Sequence, residues 1–378
     1  MKKIILIPDS FKGTMSSMEI CAIMREQVQK HYPEADIVAI PVADGGEGSV
    51  DCFLQATGGH RVPAKAKNPL FEDMQGFYGL LADGRTAIVE MAACAGLVLI
   101  QERKDPLRAT TYGVGELMLD AARRGVAKII VGLGGSATND GGCGAACAAG
   151  IRFYDGGGRR FVPTGGTLQN IARIDASGRD GALDGIEIMA MCDIDNPMCG
   201  PAGASHIFGP QKGATPELAE LLDRGVRHLG ETIKRDLGLD LADVPGTGAA
   251  GAMGAGMLAF FGAKLQMGIE TVLDTVRFDE KLRGADMVLT GEGKIDGQSL
   301  RGKVVVGVAR RARAAGVPVV AVVGDIGEDV EPAYAEGVSS IVSINRVAVD
   351  FARARLRSKD DLALTVDNLM RFCKRMGL

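Results

Sequence analysis

The chain has 378 residues, 46% hydrophobic and 24% charged, a globular composition long enough for two domains and for a core that needs no disulfide or metal staple. A net charge of −4, the absence of Trp and an aromatic content of 4% argue against a nucleic-acid partner, which would call for a basic face and stacking platforms. No apolar run approaches the ~18 residues of a membrane span, and eight cysteines without a C-x-x-C pair, beside only four histidines, argue against zinc and for buried thiols in the reducing cytoplasm.

Residues 4–7 form a short apolar run closed by Pro8-Asp9, the pattern of a buried parallel strand rather than of a signal peptide. Ser16-Ser17-Met18-Glu19 is a capping box that opens an amphipathic helix through residue 31, since Ser and Glu at that spacing satisfy each other's orphan amides. A strand over residues 36–42 completes a βαβ unit. Hairpins are expected over residues 78–91, around Asp83-Gly84, and over 151–161, around Asp155-Gly156. Between them lie a helix (113–124), a strand (128–133) and a Gly/Ala helix. A strand at 186–193, a long helix at 216–237 and a Gly/Ala/Met helix at 246–261 follow. From residue 286 the opening grammar returns: strands at 286–290, 317–323 and 339–344 alternate with helices at 303–315, 330–336 and 359–375. The two chain ends share one pattern, so the expected class is α/β. Residues 1–75 and 275–378 would build an open parallel-sheet domain, and residues 76–274 an inserted α/β domain of mixed sheet.

The 53 glycines cluster between apolar runs, where the chain must turn sharply or approach a ligand. Four such loops follow predicted strands, the place where open α/β sheets bind ligands. Asp9-Ser10-Phe11-Lys12-Gly13 offers one cation; a solvated turn reads equally well. Asp44-Gly45-Gly46-Glu47-Gly48 offers two carboxylates suited to Mg²⁺ shared with phosphate, or simply a turn before a helix. Residues 132–142, GLGGSATNDGG, lead from a strand into a helix, an anion site by virtue of their amides. Thr290-Gly291-Glu292-Gly293 opens the fourth. Farther on, residues 297–303 fit G-x-x-x-x-G-K, but Val304 stands where a P-loop needs Ser or Thr. Gly246-Thr247-Gly248-Ala249-Ala250-Gly251 fits G-x-G-x-x-G without a preceding strand, so close helix packing explains it better than a dinucleotide. Asp193, ending its strand beside Asp195 and Asn196, is a base, a metal ligand or plain turn chemistry.

Taken together, Pro8-Asp9-Ser10-Phe11-Lys12-Gly13, Pro41-Val42-Ala43-Asp44-Gly45-Gly46-Glu47-Gly48, residues 132–142, Cys192-Asp193 with Asn196-Pro197, Gly209-Pro210-Gln211-Lys212-Gly213 and Thr290-Gly291-Glu292-Gly293 with Asp296 make the chain resemble the bacterial type-1 glycerate kinases over essentially its whole length. The resemblance implies transfer of the ATP γ-phosphoryl group to D-glycerate with Mg²⁺, 2-phosphoglycerate being favoured over 3-phosphoglycerate. It implies a Rossmann-like domain made from both chain ends. Its partners are then D-glycerate and ATP, with no nucleic acid and no membrane; a homodimer is allowed for. On that reading Gly134, Gly135, Ser136 and Asn139, with Thr290, Gly291, Glu292 and Gly293, line the nucleotide. Lys12 or Lys212 reaches the transferring group, and Asp193 is the acid nearest the reacting hydroxyl. Asp44, Glu47, Asp193 and Glu292 are the candidates for Mg²⁺. The rival readings are an NAD-dependent hydroxy-acid dehydrogenase and a non-enzymatic two-domain small-ligand sensor.

Overall fold

The computed structural model describes residues 1–43, 45–297 and 303–378. It divides into two compact units, one of residues 1–43, 55–57 and 269–378 and one of residues 44–54 and 58–268.

The first unit is a five-stranded, all-parallel sheet. Its strand order is Val338–Ser343, Val319–Val323, Met287–Gly291, Lys3–Pro8, Asp36–Ala39. The three central strands, Lys3–Pro8, Met287–Gly291 and Val319–Val323, are buried almost throughout because helices cover such sheets. The capping box forms as expected: the Glu19 amide donates to Ser16 Oγ at 3.2 Å, and the Ser16 amide donates to Glu19 Oε2 at 2.9 Å. It starts the helix Ser17–His31, whose Ile20, Met24 and Val28 recur every four residues on one face. That face packs with Leu362, Val366 and Met370 of the last helix, Phe351–Arg375, over Ile4, Leu6 and Leu289 of the sheet.

The second unit carries a mixed sheet. In order, its strands are Lys264–Gln266, Glu187–Met191, Lys128–Gly132, Thr86–Glu90, Asp73–Leu81, Gly59–Lys67. The first four are mutually parallel, and Asp73–Leu81 runs antiparallel to both of its neighbours, Thr86–Glu90 and Gly59–Lys67. The turn expected at Asp83-Gly84 joins Asp73–Leu81 to its antiparallel neighbour Thr86–Glu90, with Gly84 at φ +64° and its amide donating to the Leu81 carbonyl at 2.9 Å. A separate three-stranded sheet contains the second expected hairpin, Arg152–Tyr154 with Arg160–Phe161.

Three expectations shift. Residues 45–54 and 58–75, grouped above with the chain ends, belong to the second unit, where Gly59–Lys67 pairs along its length with Asp73–Leu81, and residues 269–274 belong to the first. The last helix, expected from residue 359, begins at Phe351. The helix expected from residue 246 spans Ala249–Phe261, and Ala250, Gly251 and Ala252 at its start are left-handed (φ 55°, 70° and 66°). As expected, no strand precedes the G-x-G-x-x-G run, which serves packing instead: a Cβ on Gly248 would lie 2.3 Å from the Pro197 carbonyl oxygen.

Candidate active site

In the first unit, the loops after Lys3–Pro8 and Met287–Gly291 are neighbours because their strands pair, Pro8 opposite Gly291. The chain leaves the Lys3–Pro8 strand in one direction across the sheet and returns to Met287–Gly291 on its other side, so this pair is the topological switch point where such sheets place ligands. The Asp9 amide donates to the Gly291 carbonyl at 2.8 Å, and a Cβ on Gly293 would stand 3.5 Å from the Lys12 nitrogen. The sequence motifs holding Lys12 and residues 290–293 are therefore brought together. Lys12 is exposed and Gly293 half-buried. Thr290, by contrast, is fully buried, and its hydroxyl donates to the Ile7 carbonyl at 2.8 Å. Glu292 is buried as well. Of the residues 297–303, those at 298–302 lie outside the described residues; Lys303 precedes the helix Val304–Ala314 as its N-cap.

In the second unit, the carboxyl ends of the parallel strands gather the remaining motifs. The loop of Gly45, Gly46 and Glu47 lies directly on residues 132–134. The Gly134 amide donates to the Gly45 carbonyl at 3.0 Å. A Cβ on Gly132 would meet the Gly45 oxygen at 2.4 Å, and one on Gly134 would meet the Gly46 Cα at 2.6 Å. Only glycine permits backbones this close. Asp44 lies outside the described residues, while Glu47 is exposed. The expected row of anion-binding amides is shorter than its sequence suggests. Gly134 is spent on Gly45, Ala137 on the Ala95 carbonyl, Gly141 on the Gly251 carbonyl and Gly142 on the Asp140 carboxylate. Gly135 is exposed and Gly134 half-buried, whereas Ser136 and Asn139 are buried.

Beneath that loop lies a buried polar cluster. Lys212 is only 1% exposed. Its Nζ donates to Ser136 Oγ at 3.0 Å and to the Thr138 carbonyl at 2.6 Å. Burial drives its pKa down to about 7, against the opposing pull of the Asp140 charge. Asp140 is fully buried, which pushes its carboxyl up. It accepts from the Thr111 amide (2.8 Å) and hydroxyl (2.9 Å), the Gly142 and Gly144 amides (both 3.2 Å) and the Thr110 hydroxyl (3.4 Å). Asn139 Nδ2 donates to Ser205 Oγ at 3.1 Å. Thr138 Oγ1 and Asn139 Oδ1 are buried without a hydrogen-bond partner among the described residues.

Asp193 stands exposed two residues past the Glu187–Met191 strand. Its Oδ1 accepts from the Gly268 amide at 2.6 Å, beyond the end of the neighbouring Lys264–Gln266 strand. Sequence reasoning missed Glu90. It is 2% exposed at the end of its own strand and accepts from the Val50 amide at 3.0 Å and from the Gly48 amide. It thereby caps the helix Ser49–Thr57, whose N-cap Gly48 has no side chain to do so. Burial raises the Glu90 carboxyl, and the two amides oppose the rise. The residues fit a Mg²⁺ that arrives with nucleotide. Among the described residues no three His, Cys, Asp or Glu converge on one point, and single exposed carboxylates such as Asp193 and Glu47 suit a cation that keeps its waters and phosphate ligands. The eight cysteines are free thiols, seven of them buried, and no helix among the described residues is long and apolar enough to cross a membrane.

Residues 4–374 match the sequence profile of the Glycerate kinase family. A glycerate kinase of Bacillus cereus is 41% identical over 368 residues, 97% of both chains. A glycerate 2-kinase of Escherichia coli is 43% identical over 343 residues, 90% of both chains. A crystal structure described as a candidate glycerate kinase 2 from Salmonella typhimurium LT2 aligns with a TM-score of 0.87 at 40% identity, covering 100% of this chain and 99% of that one. The kinship leaves no room for the dehydrogenase or sensor readings: the chain belongs to the glycerate kinase family and is a kinase, a phosphotransferase.

Proposed function

We propose that this enzyme transfers the γ-phosphoryl group of ATP to the C2 hydroxyl of D-glycerate, giving 2-phosphoglycerate and ADP. The observation that carries this reading is the near-complete alignment, at 43% identity, with the glycerate 2-kinase of E. coli. The hydroxyl oxygen forms the new P–O bond, the bond to the β,γ-bridging oxygen breaks, and the hydroxyl proton passes to Asp193. That carboxylate suits the task because it is exposed and is held at the end of its strand by the Gly268 amide. Phosphoryl transfer asks a protein mainly for positioning and charge stabilisation. Lys12 supplies an exposed cation in the first unit, where Gly291, Glu292 and Gly293 are proposed nucleotide contacts and Thr290 supports them through its bond to Ile7. In the second unit, Gly134 and Gly135 are the accessible part of the glycine loop. When bound, Mg²⁺ would neutralise phosphate charge and take one or two protein carboxylates; Asp44, Glu47, Asp193 and Glu292 are the candidates.

The test is ADP release with D-glycerate as acceptor. Wild type should turn over, and Asp193→Asn should lower kcat by about 10²- to 10⁴-fold while ATP still binds, because the lost interaction belongs to the transition state. Near-normal kcat in a folded Asp193→Asn protein would remove Asp193 from the reaction.

A further inference from the structure

A helix N-terminus leaves amides without partners, and the usual remedy is a Ser, Thr, Asp or Asn at the N-cap whose own side chain accepts from them. The helix Ser49–Thr57 is capped differently. Its N-cap, Gly48, is left-handed at φ +86° and has no side chain to offer, and the acceptor is Glu90, far along the chain on another strand. Glu90 is enclosed, and an enclosed carboxylate is a far costlier cap than a serine hydroxyl. What it adds, and a local cap does not, is a tie between two loops.

Glu90 ends the strand Thr86–Glu90 in register with Gly132, and the next amide, that of Met91, donates to the Gly132 carbonyl at 2.9 Å. Its backbone is thus fixed to the residue from which the loop of Gly134 and Gly135 departs. Its carboxylate fixes the other loop, through the Val50 amide at 3.0 Å and the Gly48 amide. The short stretch between that hold and the meeting of the loops is itself braced. The Ser49 hydroxyl donates back to the Gly46 carbonyl at 2.6 Å, and the Gly45 carbonyl accepts from the Gly134 amide at 3.0 Å. One residue therefore anchors both sides of the place where the two glycine loops meet. We propose that Glu90 is a positioning residue for phosphoryl transfer: without touching a substrate, it holds the loop of residues 45–48 against Gly134 and so sets where Gly134 and Gly135 meet the nucleotide. The inference rests on the kinase reading above, in which those two glycines contact the nucleotide. Reacting groups tolerate little misplacement, about 1 Å costing as much as 10²-fold in rate, which accounts for a buried carboxylate where a serine would cap.

The alternative is a cap that serves the helix alone, and the experiment separates the two. Glu90→Leu removes the acceptor, and Glu90→Gln keeps the shape and one accepting oxygen. Phe53→Leu thins the buried face of the same helix and leaves Glu90 with both amides. Each variant is read by thermal melting, by kcat at saturating ATP and D-glycerate, and by hydrogen exchange of the Gly134 amide. Positioning predicts that Glu90→Leu lowers kcat about 10²-fold and speeds Gly134 exchange about tenfold, the worth of one hydrogen bond. Glu90→Gln shows a smaller change in both. Phe53→Leu lowers the melting temperature but leaves kcat and Gly134 exchange as in wild type. Should Glu90→Leu fail to fold, Glu90→Gln carries the test, with kcat below that of Phe53→Leu and Gly134 exchange faster than in wild type. Unchanged Gly134 exchange in the Glu90 variants, or a kcat that falls in Phe53→Leu in step with melting temperature as it does in them, overturns the proposal and leaves Glu90 a helix cap. Wild type that leaves ATP and D-glycerate unreacted would count against the kinase reading alone, while exchange at Gly134 still decides whether Glu90 holds the loops.

Discussion

Lys212 shows how far a fold can move one residue's chemistry. Its side chain is enclosed, and burial lowers its pKa from 10.5 to about 7 despite the nearby Asp140. In the unfolded chain the same lysine holds its proton up to about 10.4. Between these limits the unfolded state binds the extra proton, so stability rises with pH across the window from about 7 to 10.5 and is flat in this group below it. The contribution reaches about 1.4 kcal/mol per pH unit in mid-window. Denaturant titrations at pH 7.5, 8.5 and 9.5 should show that slope in wild type and its loss in Lys212→Met; equal slopes would mean that Lys212 is not shielded as described. The Gly-Pro-Gln-Lys-Gly motif made Lys212 legible in the sequence as a cation of interest. Its burial was not legible, because Ser136 and Thr138 lie more than 70 residues away in the chain. Glu90 was illegible for the same reason. It reads as the last residue of a hairpin strand, and only the fold puts it against the amides of Gly48 and Val50, some 40 residues earlier.

At the scale of elements, the glycine loops were legible and their mutual contact was not. Clustered glycines announce close approach without naming the partner, and the partner here is another glycine loop. Gly134→Ala would drive a Cβ to 2.6 Å from the Gly46 Cα and 2.7 Å from its nitrogen. Neither backbone can yield without moving its loop, so the substitution should cost about 1–3 kcal/mol and lower kcat with it. Gly156→Ala, at a hairpin tip with open space around it, should stay within about 0.5 kcal/mol. Thermal melts of the two variants check this, and equal melting temperatures would contradict the packing of the loops. The strand Gly59–Lys67 escaped sequence reading although Val62, Ala64 and Ala66 alternate inward. Pro63 interrupts the pattern, and it is tolerated because the strand is at the sheet edge. The left-handed start of the Ala249–Phe261 helix was equally hidden, since two of its three residues are alanines, which rarely adopt that conformation and cost of order 1–2 kcal/mol when they do.

For the whole molecule, the α/β class and the common sheet of the two chain ends were legible because βα periodicity is a local signal that repeats. The borders were less so: residues 58–75 carry no composition shift, and only strand pairing assigns them to the second unit. The chain ends are tied as well as paired. His31 Nε2 lies 3.0 Å from Asp367 Oδ1, and the Tyr32 hydroxyl donates to the Leu378 carbonyl at 3.1 Å, so the last helix is an integral part of the first unit. The central claim, that this chain phosphorylates glycerate at C2, is tested most directly by phosphorus NMR of the product formed from ATP, Mg²⁺ and D-glycerate. A phosphate ester on C2 couples to the single proton there, and one on C3 couples to two. The account predicts a phosphomonoester doublet, 2-phosphoglycerate, growing as ATP is consumed. A triplet from 3-phosphoglycerate, or ATP left unconsumed beside unmodified D-glycerate, would contradict it.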